Sequence, residues 1–197
     1  MKHRDGQRGS TRTASEDRAS APGAAAWHLA GSANEQALTR VEFGMERLIH
    51  AYYRWKVSCL SAVGDYPLAG DDISILNIIR MGDEPKKLAD VARLLNRADM
   101  SNLQYATRKL INAGLVEKLN ASSRKDTAYR ATPKGIEVTD RYAATRRELV
   151  TARLEEIVGP ASLLQDTSAV FDQLVEIYEQ GVRRAAARGS GLVERRD

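Results

Sequence analysis

The sequence predicts a mainly α-helical fold with one small β-hairpin, and three observations predict it. Apolar residues recur at spacings of three and four through most of the chain from Asn34 to Ala187. Aromatic residues make up 6% of the chain, which leaves Leu, Ile, Val and Ala to build the core. Between Leu115 and Ala131 the pattern changes to two short segments, Leu115–Asn120 and Thr127–Ala131, around the polar turn Ala121–Asp126.

Taken in order, residues 1–30 are expected to form a disordered tail, because Met1 to Ala26 is rich in Ser, Thr, Gly, Ala and Arg and has no apolar period. A long helix follows over residues 34–63. Leu38, Val41, Met45, Leu48, Tyr52 and Trp55 form its stripe, and Gly64, Asp65 and Pro67 end it. A helix this long with so wide an apolar face suits a subunit interface. A second helix spans about 71–81, capped by Asp71 or Asp72, with Ile73, Leu76 and Ile79 inward. A third covers about 87–96, striped by Leu88, Val91, Ala92 and Leu95. After the linker Arg97-Ala98-Asp99, a fourth covers about 100–113 with Met100, Leu103, Ala106, Thr107 and Leu110 inward. Gly114 then stands where a helix-ending glycine belongs. Beyond the hairpin, Thr132 and Pro133 open a helix expected to reach Val158. Gly159-Pro160 interrupts, and a last helix is expected over about 161–187 before a frayed tail, 189–197.

With 197 residues the chain has room for one ordinary domain, expected over 34–188. Its single cysteine, Cys59, allows no intramolecular disulfide and suits a reducing compartment. Without a basic cluster or a second thiol beside it, Cys59 reads as a packed thiol. No apolar run reaches the ~18 residues of a membrane helix, and no apolar segment follows the charged N-terminus. A cytoplasmic, nucleoid-associated protein with no membrane contact is expected. Three scattered His and one Cys offer no metal site. No nucleophile–base pair or phosphate-binding glycine loop suggests catalysis, and no cofactor is expected.

The order helix, helix, short linker, helix, hairpin is that of a winged helix-turn-helix, here over residues 86–134 and flanked by long helices at 34–63 and 133–187. In the fourth helix Ser101, Tyr105, Arg108 and Asn112 fall opposite the Leu103/Leu110 stripe, with Asn102, Gln104 and Lys109 beside them. These residue types hydrogen-bond base edges, and those near the start of such a helix usually reach bases. Ser101, Asn102, Gln104 and Tyr105 are therefore expected to do most of the reading, while Arg108 suits a base or a phosphate. Charge concentrates on the same stretch. Residues 86–134 carry eleven cations against four anions, a net +7, where the whole chain carries +4 and the remainder therefore −3. Phosphate binding needs such a basic concentration. Lys109, Lys125 and Arg130 join the candidate DNA contacts on that ground.

These segments resemble the MarR (multiple-antibiotic-resistance regulator) family from about Val41 to Tyr178. The resemblance rests on Leu88-Ala89-Asp90-Val91-Ala92, on Lys109-Leu110-Ile111-Asn112-Ala113-Gly114-Leu115-Val116, and on Ala131-Thr132-Pro133-Lys134-Gly135. The family's wing tip commonly carries Asp-x-Arg. Here Ser122-Ser123-Arg124 keeps the arginine without the acid, and Asp126 stands on its other side. The resemblance implies that Arg124 enters the minor groove. It also implies a homodimer built from the first and last two helices, with heads set for half-sites about 34–36 Å apart. A small-molecule effector is implied as well, and Tyr52, Tyr53, Arg54 and Trp55 are its candidate pocket. The expected function is sequence-specific binding of double-stranded DNA as a repressor of transcription. The alternatives are a ligand-independent architectural DNA binder and a winged helix that binds proteins. A protein-binding face would carry more apolar anchors than the fourth helix shows.

Overall fold

Helix α1 (Ala33–Ser61) begins at a capping box in the computed structural model, which describes residues 28–119 and 127–193. Ser32 Oγ accepts the Glu35 N–H at 3.3 Å, and the Glu35 carboxylate accepts the Ser32 N–H at 2.7 Å. The chain divides into two compact units within this helix, one ending at Lys56 and the other starting at Val57. Of the first unit's expected stripe, Leu38, Val41, Leu48 and Tyr52 remain exposed.

The second unit holds the hydrophobic core. Helix α2 (Gly70–Arg80) follows Ala69, which has no capping side chain of its own. The Asp72 carboxylate accepts the Ala69 N–H at 2.7 Å instead. Strand β1 (Lys86–Lys87) leads directly into helix α3 (Leu88–Leu94). Helix α4 (Met100–Asn112) is followed by the hairpin strands β2 (Val116–Leu119) and β3 (Ala128–Ala131). The sheet runs β1-β3-β2, all antiparallel, with Lys86 opposite Tyr129 and Glu117 opposite Arg130. The two-residue β1 was not expected, because Lys-Lys carries no apolar alternation; it forms by pairing with β3. Ile73, Ile75, Leu76 and Ile79 of α2, Val91 of α3, Leu103 and Leu110 of α4, and Leu115 and Val116 pack together fully buried. Met100, expected inward, is 37% exposed because it sits on the first turn, ahead of the packed face.

Helix α5 (Pro133–Leu149) starts as its sequence dictates. Thr132 Oγ1 accepts the Gly135 N–H at 3.0 Å, and Pro133 occupies the first turn, where no N–H is required. The helix stops earlier than expected. The β-branched pair Val150-Thr151 follows Leu149, and the Thr151 hydroxyl donates to the Arg146 carbonyl, competing with the helical ladder. A 3₁₀ turn (Thr151–Arg153) and a short helix α6 (Leu154–Ile157) replace the last turns of the expected helix. Gly159, at φ +104°, turns the chain into α7 (Ala161–Val193). This helix runs past the expected end at 187, since Arg and Ala favour helix and a glycine costs only about 1 kcal/mol.

Gly135 lies so close to the end of α4 that a Cβ there would stand 2.0 Å from the Leu115 carbonyl oxygen. Backbone cannot yield as a flexible side chain can. Gly135→Ala should therefore lower stability by about 2–4 kcal/mol, as other severe core clashes do. Thermal unfolding of the purified variant checks this, and an unchanged midpoint would rule the close approach out as a constraint.

Candidate nucleic-acid interface

A helix that reads DNA has to be held rigidly and still offer polar side chains to solvent. Asp99 provides the start of α4. Its carboxylate accepts the Ser101 and Asn102 N–H groups, both at 3.1 Å, and also the Asn102 side-chain amide. A carboxylate only accepts, so Asn102 must turn its NH2 toward Asp99, and its Oδ1 is directed away. The helix ends in a Schellman motif. Gly114, at φ +71°, donates to the Ile111 carbonyl at 2.9 Å, and Leu115 N–H donates to Leu110 at 3.0 Å. The preceding turn is built the same way. Asn96, at φ +49°, donates to Arg93, and Arg97 N–H donates to Ala92 at 2.8 Å.

Between these caps, Leu103, Ala106, Thr107 and Leu110 are buried and Ser101, Asn102, Gln104, Tyr105, Arg108 and Asn112 are exposed. Lys109 departs from the expected outward face. Its ammonium is bonded to the carboxylate of Asp72, a buried side chain on α2. Asp71 next to it holds Arg97 of the turn at 3.1 Å. Two acids at the start of α2 thus clip the helix-turn-helix in place, and they draw Lys109 and Arg97 out of the basic surface. The residue types alone did not distinguish Lys109 from Arg108, because the partner lies 37 residues away.

On the wing, Arg130 donates through Nε and one terminal nitrogen to Glu117, at 3.0 and 2.7 Å, directly across the β2–β3 ladder. Both groups are well exposed, so the pair contributes at most about 1 kcal/mol. Arg124 and Lys125 lie outside the described residues. Two cations that the sequence reading passed over, Lys87 on β1 and Lys118 on β2, are exposed on the sheet beside α4. Their signal was the basic charge itself, but nothing in the local pattern gave it a direction.

The candidate effector cluster does not converge. Four successive helical residues fan out over about 300°. Tyr52 and Tyr53 both lie against the Lys56 ammonium, 4.8 Å from each ring centroid, while Trp55 is half-buried. Arg54 lines a shallow cleft with Arg47 and His50 instead. Cys59 is 1% exposed, its thiol 3.7 Å from the Tyr142 carbonyl, and burial pushes its pKa up. Among the described residues no group of three or more His, Cys, Asp or Glu could hold a metal ion, and no helix is long and apolar enough to cross a membrane.

The winged helix DNA-binding domain family matches residues 68–135, the stretch from the start of α2 to Gly135. No curated protein matches the chain. Among solved structures, a MarR family regulator from Neisseria meningitidis is similar with a TM-score of 0.56 and 13% identity, covering 75% of this chain and 97% of its own. A MarR family transcriptional regulator from Silicibacter pomeroyi is similar at 0.54 and 19%, covering 68% and 87%. NadR in complex with 4-hydroxyphenylacetate is similar at 0.50 and 18%, covering 70% and 91%. Residues 68–135 are therefore similar to winged helix DNA-binding domains. The chain's fold is that of the MarR family regulators.

Two expectations follow from the ion pair and the thiol. Lys109→Met should destabilise the protein by roughly 1–3 kcal/mol, because it leaves the Asp72 carboxylate buried without its cation; denaturant unfolding measures this, and a stability equal to wild type would return Lys109 to the surface. Cys59, held neutral and covered, should resist iodoacetamide at neutral pH in the folded protein and react once denaturant is added. Rapid labelling of the native protein would contradict that placement.

Proposed function

We propose that the protein is a homodimeric transcription regulator, a cytoplasmic repressor that binds a pseudo-palindromic site in double-stranded DNA and is released by a small-molecule effector. The observation that carries this reading is the exposed polar face of α4, held between the Asp99 cap and the Gly114 exit within a matched DNA-binding domain. Ser101, Gln104 and Tyr105 offer donors and acceptors to base edges there. Asn102 offers Oδ1, an acceptor suited to the exocyclic amino group of adenine or cytosine.

Dimerisation is supported by apolar surface that a single chain leaves in water. On α7, Leu164, Phe171, Val175, Tyr178 and Val182 lie on one stripe, all exposed, and the stripe of α1 is likewise uncovered. Uncovered apolar stripes of this extent mark interfaces, and a second copy of the chain brings the same stripes to meet them under two-fold symmetry. The effector part rests on likeness to NadR, whose structure holds 4-hydroxyphenylacetate. Release would require a ligand that favours a head spacing unsuited to the operator.

Selection of bound duplexes from a random DNA pool at two salt concentrations tests the reading. The expected product is a two-fold motif with half-sites about one helical turn apart, bound by a species of twice the chain mass in sedimentation. Salt-dependent binding without an enriched motif would replace it with an architectural role. Absence of binding by ligand-stripped protein would point to a protein-binding winged helix.

A further inference from the structure

The basic charge of the head is not spread evenly once each side chain is placed. Lys86 donates to the Met81 and Glu84 carbonyls, Arg93 faces Asp90, Arg97 faces Asp71, Lys109 faces Asp72, Arg130 faces Glu117 and Lys134 donates to Ala113. Arg108 and Lys118 have no hydrogen-bonding or ion-pair partner among the described residues. These two come from different elements, α4 and β2, yet both line one cleft of about 490 Å³ between α4 and the sheet. Lys87, Gln104 and Tyr129 border the same cleft, and among the described residues no carboxylate does.

Resting on the DNA-binding reading above, we propose that this cleft clamps the sugar-phosphate backbone of duplex DNA, with Arg108 and Lys118 as its two principal phosphate contacts and Lys87 alongside. Two convergent cations with no acidic partner among the described residues carry a net positive charge that suits an anion from outside. A helix lying in the major groove has a phosphate strand running along its flank, and the flank of α4 that faces the sheet is this cleft. Lys118 is a compact charge on a flexible stem, suited to a phosphate oxygen and unable to make the bidentate pairing that distinguishes guanine. Arg108 shares the cleft with it and so serves affinity rather than sequence choice. Reading is left to Ser101 and Asn102 of the first turn and to the uncharged Gln104 and Tyr105 that follow.

Salt titrations test the assignment. Wild type, Arg108→Gln, Lys118→Gln and the double variant are titrated against the selected duplex and an unrelated duplex of equal length. For each cation removed from each head, the slope of log K against log salt should fall by about 0.9. Affinity should fall by the same factor on both duplexes, and re-selection should return the wild-type motif. A slope equal to wild type would overturn the clamp, as would a loss confined to the selected duplex, which would make Arg108 a base reader. A selection in which wild-type protein retains no duplex at all would overturn the DNA-binding reading itself, a result separable from either of those. Arg108→Lys, which keeps the charge and leaves the slope at its wild-type value, separates a lost phosphate contact from a misfolded head.

Discussion

Three consecutive carbonyls just past the end of α4 determine how that helix is mounted. Ala113 accepts Lys134 Nζ at 3.0 Å, Gly114 accepts the Thr132 hydroxyl at 2.6 Å, and Leu115 accepts the Thr132 N–H at 3.0 Å. A helix end leaves its last carbonyls without partners. Here the Schellman turn satisfies Leu110 and Ile111, the start of α5 takes the three carbonyls that follow, and Gly135 permits the approach by offering no Cβ. α4, the hairpin and α5 therefore meet at one corner. The residues responsible, Thr132-Pro133-Lys134-Gly135, meet the exit of α4 and so fix how that helix and its exposed polar face are held.

Charge holds α4 at both of its ends. Asp72 caps α2 and takes Lys109, Asp71 takes Arg97, and Asp99 caps α4 itself. Each of these acids lies close to a helix start, where the backbone N–H groups and the helix dipole favour a negative group. The same acids remove cations from the surface. Among the described residues, Arg108 and Lys118 remain without such a partner, and both line the cleft between α4 and the sheet. A basic segment with a net charge of +7 thereby becomes a directed patch rather than a diffuse one.

Much of this architecture was legible in the chain. The periodicity of α2 to α4, the glycine at 114, the Thr132-Pro133 helix start and the polar face of α4 all depend on residues within a few positions of each other. Their spacing is the physical cause of the local structure. The less accurate expectations have a common origin. The stop at Leu149 depends on a hydroxyl competing for a carbonyl, and the strand at Lys86-Lys87 depends on a partner more than 40 residues later. The aromatic run at 52–55 is contiguous in sequence, but a helix turns contiguity into divergence.

The sequence alone determined that this protein is mainly helical, that it carries a wing, and which helix presents a polar face. Those properties follow from periodicity and capping, which act over one or two turns. Only the tertiary structure decided which cations of the head are available to a partner. Lys109 and Arg108 are adjacent and alike in composition, yet one is bonded to Asp72 of α2 and the other opens onto the cleft beside Lys118. Ion pairing depends on distances through space, and the fold sets those distances by bringing α2 against one side of α4 and β2 against another.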